Sequence, residues 1–195
     1  SPSRAVAALR ARLVQRRGEG EDRRATEEEL HRASRTLRKA RRRGERLLRR
    51  GAGRRALAEG FADGYRRARA AMTAAGRADT PEAFHAWRKA VKVHAHHARV
   101  FADAGVMAER AAPLAALAEA LGSAHDLALL EQAIRAECAS PASTRAYAPL
   151  LAAVQARRQA VERAALAQGR RLFRRPSTWV RGAAGDATGL RNSKR

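Results

Sequence analysis

Histidine, lysine and arginine are the residues of this 195-residue chain whose spacing could do chemistry. His85, Arg88, Lys89, Lys92 and His96 fall at offsets 0, 3, 4, 7 and 11, which trace one stripe along a helix. His31, Arg35, Arg38 and Arg42 fall at 0, 4, 7 and 11, the same stripe. Like charges three and four residues apart destabilise an isolated helix, so a compensating anion is expected. A linear polyanion lying along the stripe would meet successive side chains with successive phosphates. Arginine binds phosphate oxygens through paired N–H groups, and lysine adds a compact charge. A histidine donates one ring N–H when neutral and two when protonated. The plainer reading is a solvated basic face, which an arginine-rich chain also produces by chance.

Other chemistries fit less well. His94 and His97 are three residues apart and could share a metal ion with His85, His96 or His125. No carboxylate or cysteine joins them in that stretch, and the flanking cations repel a metal, so no metal is expected. His125-Asp126 reads as a helix contact, with Asp126 pairing a basic residue, or as plain packing. No Walker loop, GxSxG or acidic magnesium cluster is present. Phosphoanhydride cleavage without a metal or a positioned base is hard to build. The expectation is a binding protein, not an enzyme, with no cofactor.

Composition agrees. Lys+Arg number 41 against 19 Asp+Glu, a formal net charge of +22. Such an excess costs self-repulsion and calls for a polyanionic partner. Only four of the bases are lysine, and Lys89 and Lys92 lie together on the stripe. Hydrophobic residues reach 45% but aromatics only 4%, which favours close-packed helices over a β-sandwich or barrel. The single cysteine, Cys138, excludes an internal disulfide and fits a reducing compartment. No apolar run is long enough to span a membrane.

The elements that must carry the stripes are all helical. The periodicity predicts helices over 4–17, 27–50, 54–75, 81–104, 107–138 and 141–174. Thr26 with Glu29 is a capping-box pattern for the second. The stretch 76–79 reads as a loop, and Thr80-Pro81-Glu82 as a cap, a first-turn proline and a first-turn acid. Pro113 marks a kink position in the fifth helix. Pro176 stops the last, and residues 177–195 read as a basic tail, docked if at all through Trp179. The fold class is all-α: antiparallel helical bundles, with residues 1–176 as one domain.

Four motifs carry a resemblance to a known family. His85-Ala86-Trp87-Arg88-Lys89-Ala90-Val91-Lys92-Val93-His94-Ala95-His96-His97 is similar to the HxxRKxxKxH signature of CHAD domains (conserved histidine α-helical domains). Leu121-Gly122 through Asp126-Leu127 to Leu130 resembles that family's LGxxxDLxxL segment. Tyr65-Arg66-Arg67-Ala68-Arg69 resembles its Tyr-Arg-Arg-x-Arg helix, and Arg157-Arg158 with Gly169-Arg170-Arg171 its C-terminal helix. The motifs follow the family's order over residues 25–176. In the first half, Ser34 stands where a base is expected, and Arg35 and Arg38 where lysines are.

The resemblance implies two helical halves related by a pseudo-two-fold, whose bases line a cleft that binds inorganic polyphosphate. Carried over, the binding set is His31, Arg35, Arg38, Arg42, Tyr65, Arg66, Arg69, His85, Arg88, Lys89, Lys92, His96, Arg157 and Arg170. It also implies a cytoplasmic protein that associates with polyphosphate granules. The second reading is a histone-like or RNA-associated nucleic-acid binder, which explains the charge equally well. That reading predicts aromatics for stacking. A membrane-surface helix would need a bulky apolar face, which residues 27–50 lack.

Overall fold

The computed structural model describes residues 7, 9–12, 14–15, 23–49, 53–103 and 108–175. Every described residue is helical except positions 79–80, 138–140 and 173–175, so the chain is all-α over what is described. The first helix, α1, has its described residues at 7, 9–12 and 14–15. The others are α2 (Arg23–Arg49), α3 (Gly53–Ala78), α4 (Pro81–Asp103), α5 (Ala108–Glu137) and α6 (Pro141–Leu172). The expected tail, 177–195 with Trp179, lies outside the described residues.

Two boundaries differ from the sequence expectation by more than two residues. The helix α2 begins at Arg23, ahead of the Thr26–Glu29 box. Arginine and alanine are strong helix formers, so nothing in Arg23-Arg24-Ala25 stops the helix from extending backwards. The helix α3 runs through Gly76 to Ala78, where 76–79 reads as a loop. The turn is made instead by Asp79, which takes a left-handed φ of 49°. Its N–H donates to the Ala75 carbonyl at 3.0 Å. Aspartate tolerates this conformation better than most L-residues.

Two helix starts follow their capping chemistry. The Ala83 N–H donates to Thr80 Oγ1 at 3.3 Å, with Pro81 in the first turn and Glu82 behind it. At α6 the Ser143 N–H donates to Ser140 Oγ at 3.1 Å, and the Ser140 N–H to Ser143 Oγ at 3.0 Å. That is a reciprocal cap with serine in the place of the usual glutamate.

The chain divides into two compact units, one of Ser1–Gly53 with Ala136–Leu150, the other of Arg54–Arg135 with Leu151–Arg195. The first unit holds α1 and α2, and all described side chains of α2 are exposed. Its described buried residues are Leu9 and Tyr147, and Arg12 forms an ion pair with Glu137.

The second unit holds the main hydrophobic core. Phe61, Tyr65 and Ala68 of α3 meet Phe84, Trp87 and Val91 of α4, Leu114, Leu117 and Leu121 of α5, and Ala165 of α6 with Phe173 beyond its end. Each helix buries one stripe at helical spacing, as amphipathic helices do. Small residues let the backbones approach. A Cβ at Gly169 would lie 2.7 Å from Trp87 Cζ2, so this glycine makes room for the largest side chain of the core.

A buried ion cluster ties α5 to α6. Glu131 accepts hydrogen bonds from Arg135 at 2.9 Å, Gln155 at 2.8 Å and Arg158 at 3.1 Å. Arg158 also donates to both oxygens of Glu162, at 2.7 and 2.8 Å. Burial pushes the Glu131 carboxyl up, but the hydrogen bonds from Gln155, Arg135 and Arg158 outweigh it and hold it low. Buried charges persist where they are paired in this way.

Candidate functional site

The stripe on α4 is set by the core beneath it. Phe84, Trp87, Val91, His94 and Ala98 are buried, and they fall at offsets 0, 3, 7, 10 and 14. The neighbouring strip of the same helix is therefore left at the rim. It carries His85 and Arg88, half-buried, then Lys89, Lys92 and His96, exposed. Arg99 continues it by one further turn and is also exposed.

Facing this strip, α5 presents small residues. Lys92, Ala95, His96 and Arg99 form one wall of a groove of about 390 Å³, and Ala111, Ala112, Ala115, Ala118 and Glu119 form the other. One turn along α5, the Gly122 position lies 3.8 Å from Arg88 Nε, measured from where a Cβ would sit. The His85 and His125 rings lie 4.4 Å apart, centroid to centroid, inclined at 38°. His85 Nδ1 and Arg88 Nε are buried without a hydrogen-bond partner. The imidazole of His85 is held below the ordinary histidine pKa by burial first, then by His125, Lys89 and Arg88.

These side chains offer several N–H donors and positive charge along one open groove, which can take an extended anion with repeated oxygen groups. Two residues outside the expected binding set join the strip: Arg99, which lines the groove, and His125, which meets His85. Arg99 was legible as the stripe's next helical position, at offset 14. His125 was not, because only the packing of α5 on α4 brings it to His85.

The remaining expected residues stand elsewhere. His31, Arg35, Arg38 and Arg42 are exposed on α2 in the other unit. There the His31 Nδ1–H donates to the Glu27 carbonyl at 3.1 Å, leaving Nε2 outward. Arg66 is exposed and pairs with Asp63 at 3.1 Å; Arg69 and Arg170 are exposed. Arg157 lines a different groove, between α5 and α6, with Ser123, Asp126 and Gln168.

Tyr65 is fully buried. Its hydroxyl donates to the Arg175 carbonyl, and its ring carries Arg110 at 5.6 Å. Its position is that of a core residue. Burial raises its pKa, against the pull of Arg110 and Arg69. Among the described residues no three His, Cys, Asp or Glu side chains gather closely enough to hold an ion.

The fold and the groove together define an all-helical protein with a concentrated cationic face on one helix. The chain belongs to the CHAD domain family, whose family model matches residues 1–135. No curated protein and no solved structure matches the chain.

Proposed function

We propose that this protein binds inorganic polyphosphate along the α4 groove, and that it acts by binding rather than by turnover. The observation that carries the reading is the run His85, Arg88, Lys89, Lys92, His96 and Arg99 on one strip of α4, in which Lys92, His96 and Arg99 face small residues of α5, Arg88 lies by Gly122 and His85 by His125. Family membership supports it, since CHAD domains are associated with polyphosphate. The two stripes of equal spacing support the finer architecture of two related halves, each with its own basic stripe. Association with polyphosphate granules in the cytoplasm follows from the same ligand. Among the described residues no helix is long and apolar enough to cross a membrane.

The competing ligand is nucleic acid. Proteins that hold single strands stack bases on exposed aromatics. Here the aromatics whose side chains are described, Phe61, Tyr65, Phe84, Trp87, Tyr147 and Phe173, are all buried. A stacking platform is therefore missing among the described side chains, which favours a ligand without bases.

Two comparisons test this. Single-stranded DNA at equal phosphate concentration is expected not to displace long-chain polyphosphate; equal displacement would favour the nucleic-acid reading. Arg88→Ala with Lys92→Ala is expected to weaken polyphosphate binding about tenfold, through lost charge-assisted hydrogen bonds. Removing the exposed Arg77 and Arg145 instead takes away the same charge off the groove. Equal losses from the two pairs would show that only net charge matters.

A further inference from the structure

The basic strip of α4 has one feature that simple charge attraction does not require: two histidines from different helices packed ring to ring beside unpartnered donors. We propose that His125 of α5 joins His85 of α4 as a paired-imidazole clamp on one phosphoryl group, and that closing the clamp takes up a proton. The proposal rests on the polyphosphate reading above and adds to it a binding residue and a form of regulation.

The geometry supports a clamp. The ring centroids are 4.4 Å apart. His85 Nδ1 and Arg88 Nε are buried and make no hydrogen bond, a costly state for polar groups unless something meets them. Gly122 leaves room beside Arg88. The groups that act on His85 are His125 from α5 and Lys89 and Arg88 from its own helix. Glu82, three residues earlier on α4, is exposed, and Asp126, next to His125 in the chain, lines the separate α5–α6 groove with Arg157. The surroundings of the ring pair are thus cationic, with no carboxylate among the groups that act on His85.

The proton balance follows. Without ligand, burial first, then His125, Lys89 and Arg88, favour the neutral ring of His85. A phosphoryl anion at the rings reverses the local charge, and an opposite charge within about 4–6 Å favours the protonated form. The proton comes from solvent and lands on one ring of the pair. It turns that ring's second nitrogen from acceptor to donor, and the new N–H faces a phosphate oxygen. A second proton is opposed by the first, because two imidazolium rings this close repel. Uptake therefore approaches one proton per clamp, and affinity rises as pH falls through the neutral range.

Calorimetric titration with long-chain polyphosphate, near pH 7 in buffers of different ionisation enthalpy, counts the protons. The unsubstituted chain is expected to take up about half to one more proton than His125→Asn. At about pH 8.5, well above the ordinary histidine range, the two should bind within about threefold of each other. Equal proton uptake by the two chains would overturn the clamp while leaving polyphosphate binding intact. No binding by the unsubstituted chain at either pH would overturn the ligand reading, and the clamp with it. A second measurement needs no variant. The ring-proton resonances of His85 and His125, followed over pH with and without tripolyphosphate, should both titrate higher in its presence. Unmoved midpoints, with tripolyphosphate bound, would refute the proposal.

Discussion

At the scale of single residues, His94 stands on the face of α4 that calls for hydrocarbon. Its ring lies 4.7 Å from that of Phe61, 5.8 Å from Tyr65 and 6.0 Å from Phe173. Neither ring nitrogen has a hydrogen-bond partner. Burial, then Arg110 and His97, hold its pKa down to about 3. The folded pKa is depressed below the unfolded value of 6.5, so the unfolded chain binds a proton that the folded chain refuses. Stability is therefore intact above pH 6.5 and is lost as pH falls from there towards 3, at up to about 1.4 kcal/mol per pH unit. His97, lowered by burial and His96, slopes the same way.

Leucine has about the volume of histidine and no polar atom to strand. His94→Leu is thus expected to be neutral or stabilising near pH 7.5. It should shrink the stability difference between about pH 7.5 and pH 5 by about 2 kcal/mol. Urea unfolding at the two pH values measures this. An unchanged difference would mean that the buried ring is not what makes the fold acid-sensitive.

At the scale of elements, glycines inside helices separate two kinds of position. Gly60 on α3 has nothing within 4 Å of where a Cβ would sit, whereas at Gly169 on α6 a Cβ would meet Trp87 at 2.7 Å and Met72 Sδ at 2.9 Å. Gly60→Ala should therefore stabilise by up to about 1 kcal/mol through helix propensity alone. Gly169→Ala gains the same propensity but must displace a fully buried indole, and is expected to cost about 1–3 kcal/mol net. Urea midpoints moving the same way for both variants would contradict the packing of α6 on α4.

The elements themselves were largely legible, because Thr80-Pro81-Glu82 and Ser140-Pro141 announce helix starts through local chemistry. The stripe on α4 was legible for the same reason: it is a spacing within one helix. What stayed hidden depends on neighbours. Arg157 and Arg158 are adjacent and look alike in sequence, yet Arg158 is locked between Glu131 and Glu162 while Arg157 faces a groove. Tyr65 lies in a basic motif but points into the core. No periodicity distinguishes these, since the deciding partner comes from another helix.

At the scale of the whole molecule, the net charge of +22 acts in two opposite ways. Without a polyanion, the charge destabilises the compact state through self-repulsion, and added salt screens that repulsion. With polyphosphate bound, the ligand stabilises the folded chain by mass action. Added salt then weakens the complex, because binding releases counterions. The sign of the salt effect on thermal stability should consequently reverse. Raising salt from about 50 to 300 mM is expected to raise the melting temperature of the free protein and to lower that of the complex. Diffuse charge would give this reversal with any polyanion of equal charge. A groove lined by Lys92, His96 and Arg99 should instead keep a larger melting shift for polyphosphate than for DNA at the same phosphate concentration and intermediate salt. Arg88→Ala with Lys92→Ala should erase that excess while leaving the salt response of the free protein unchanged.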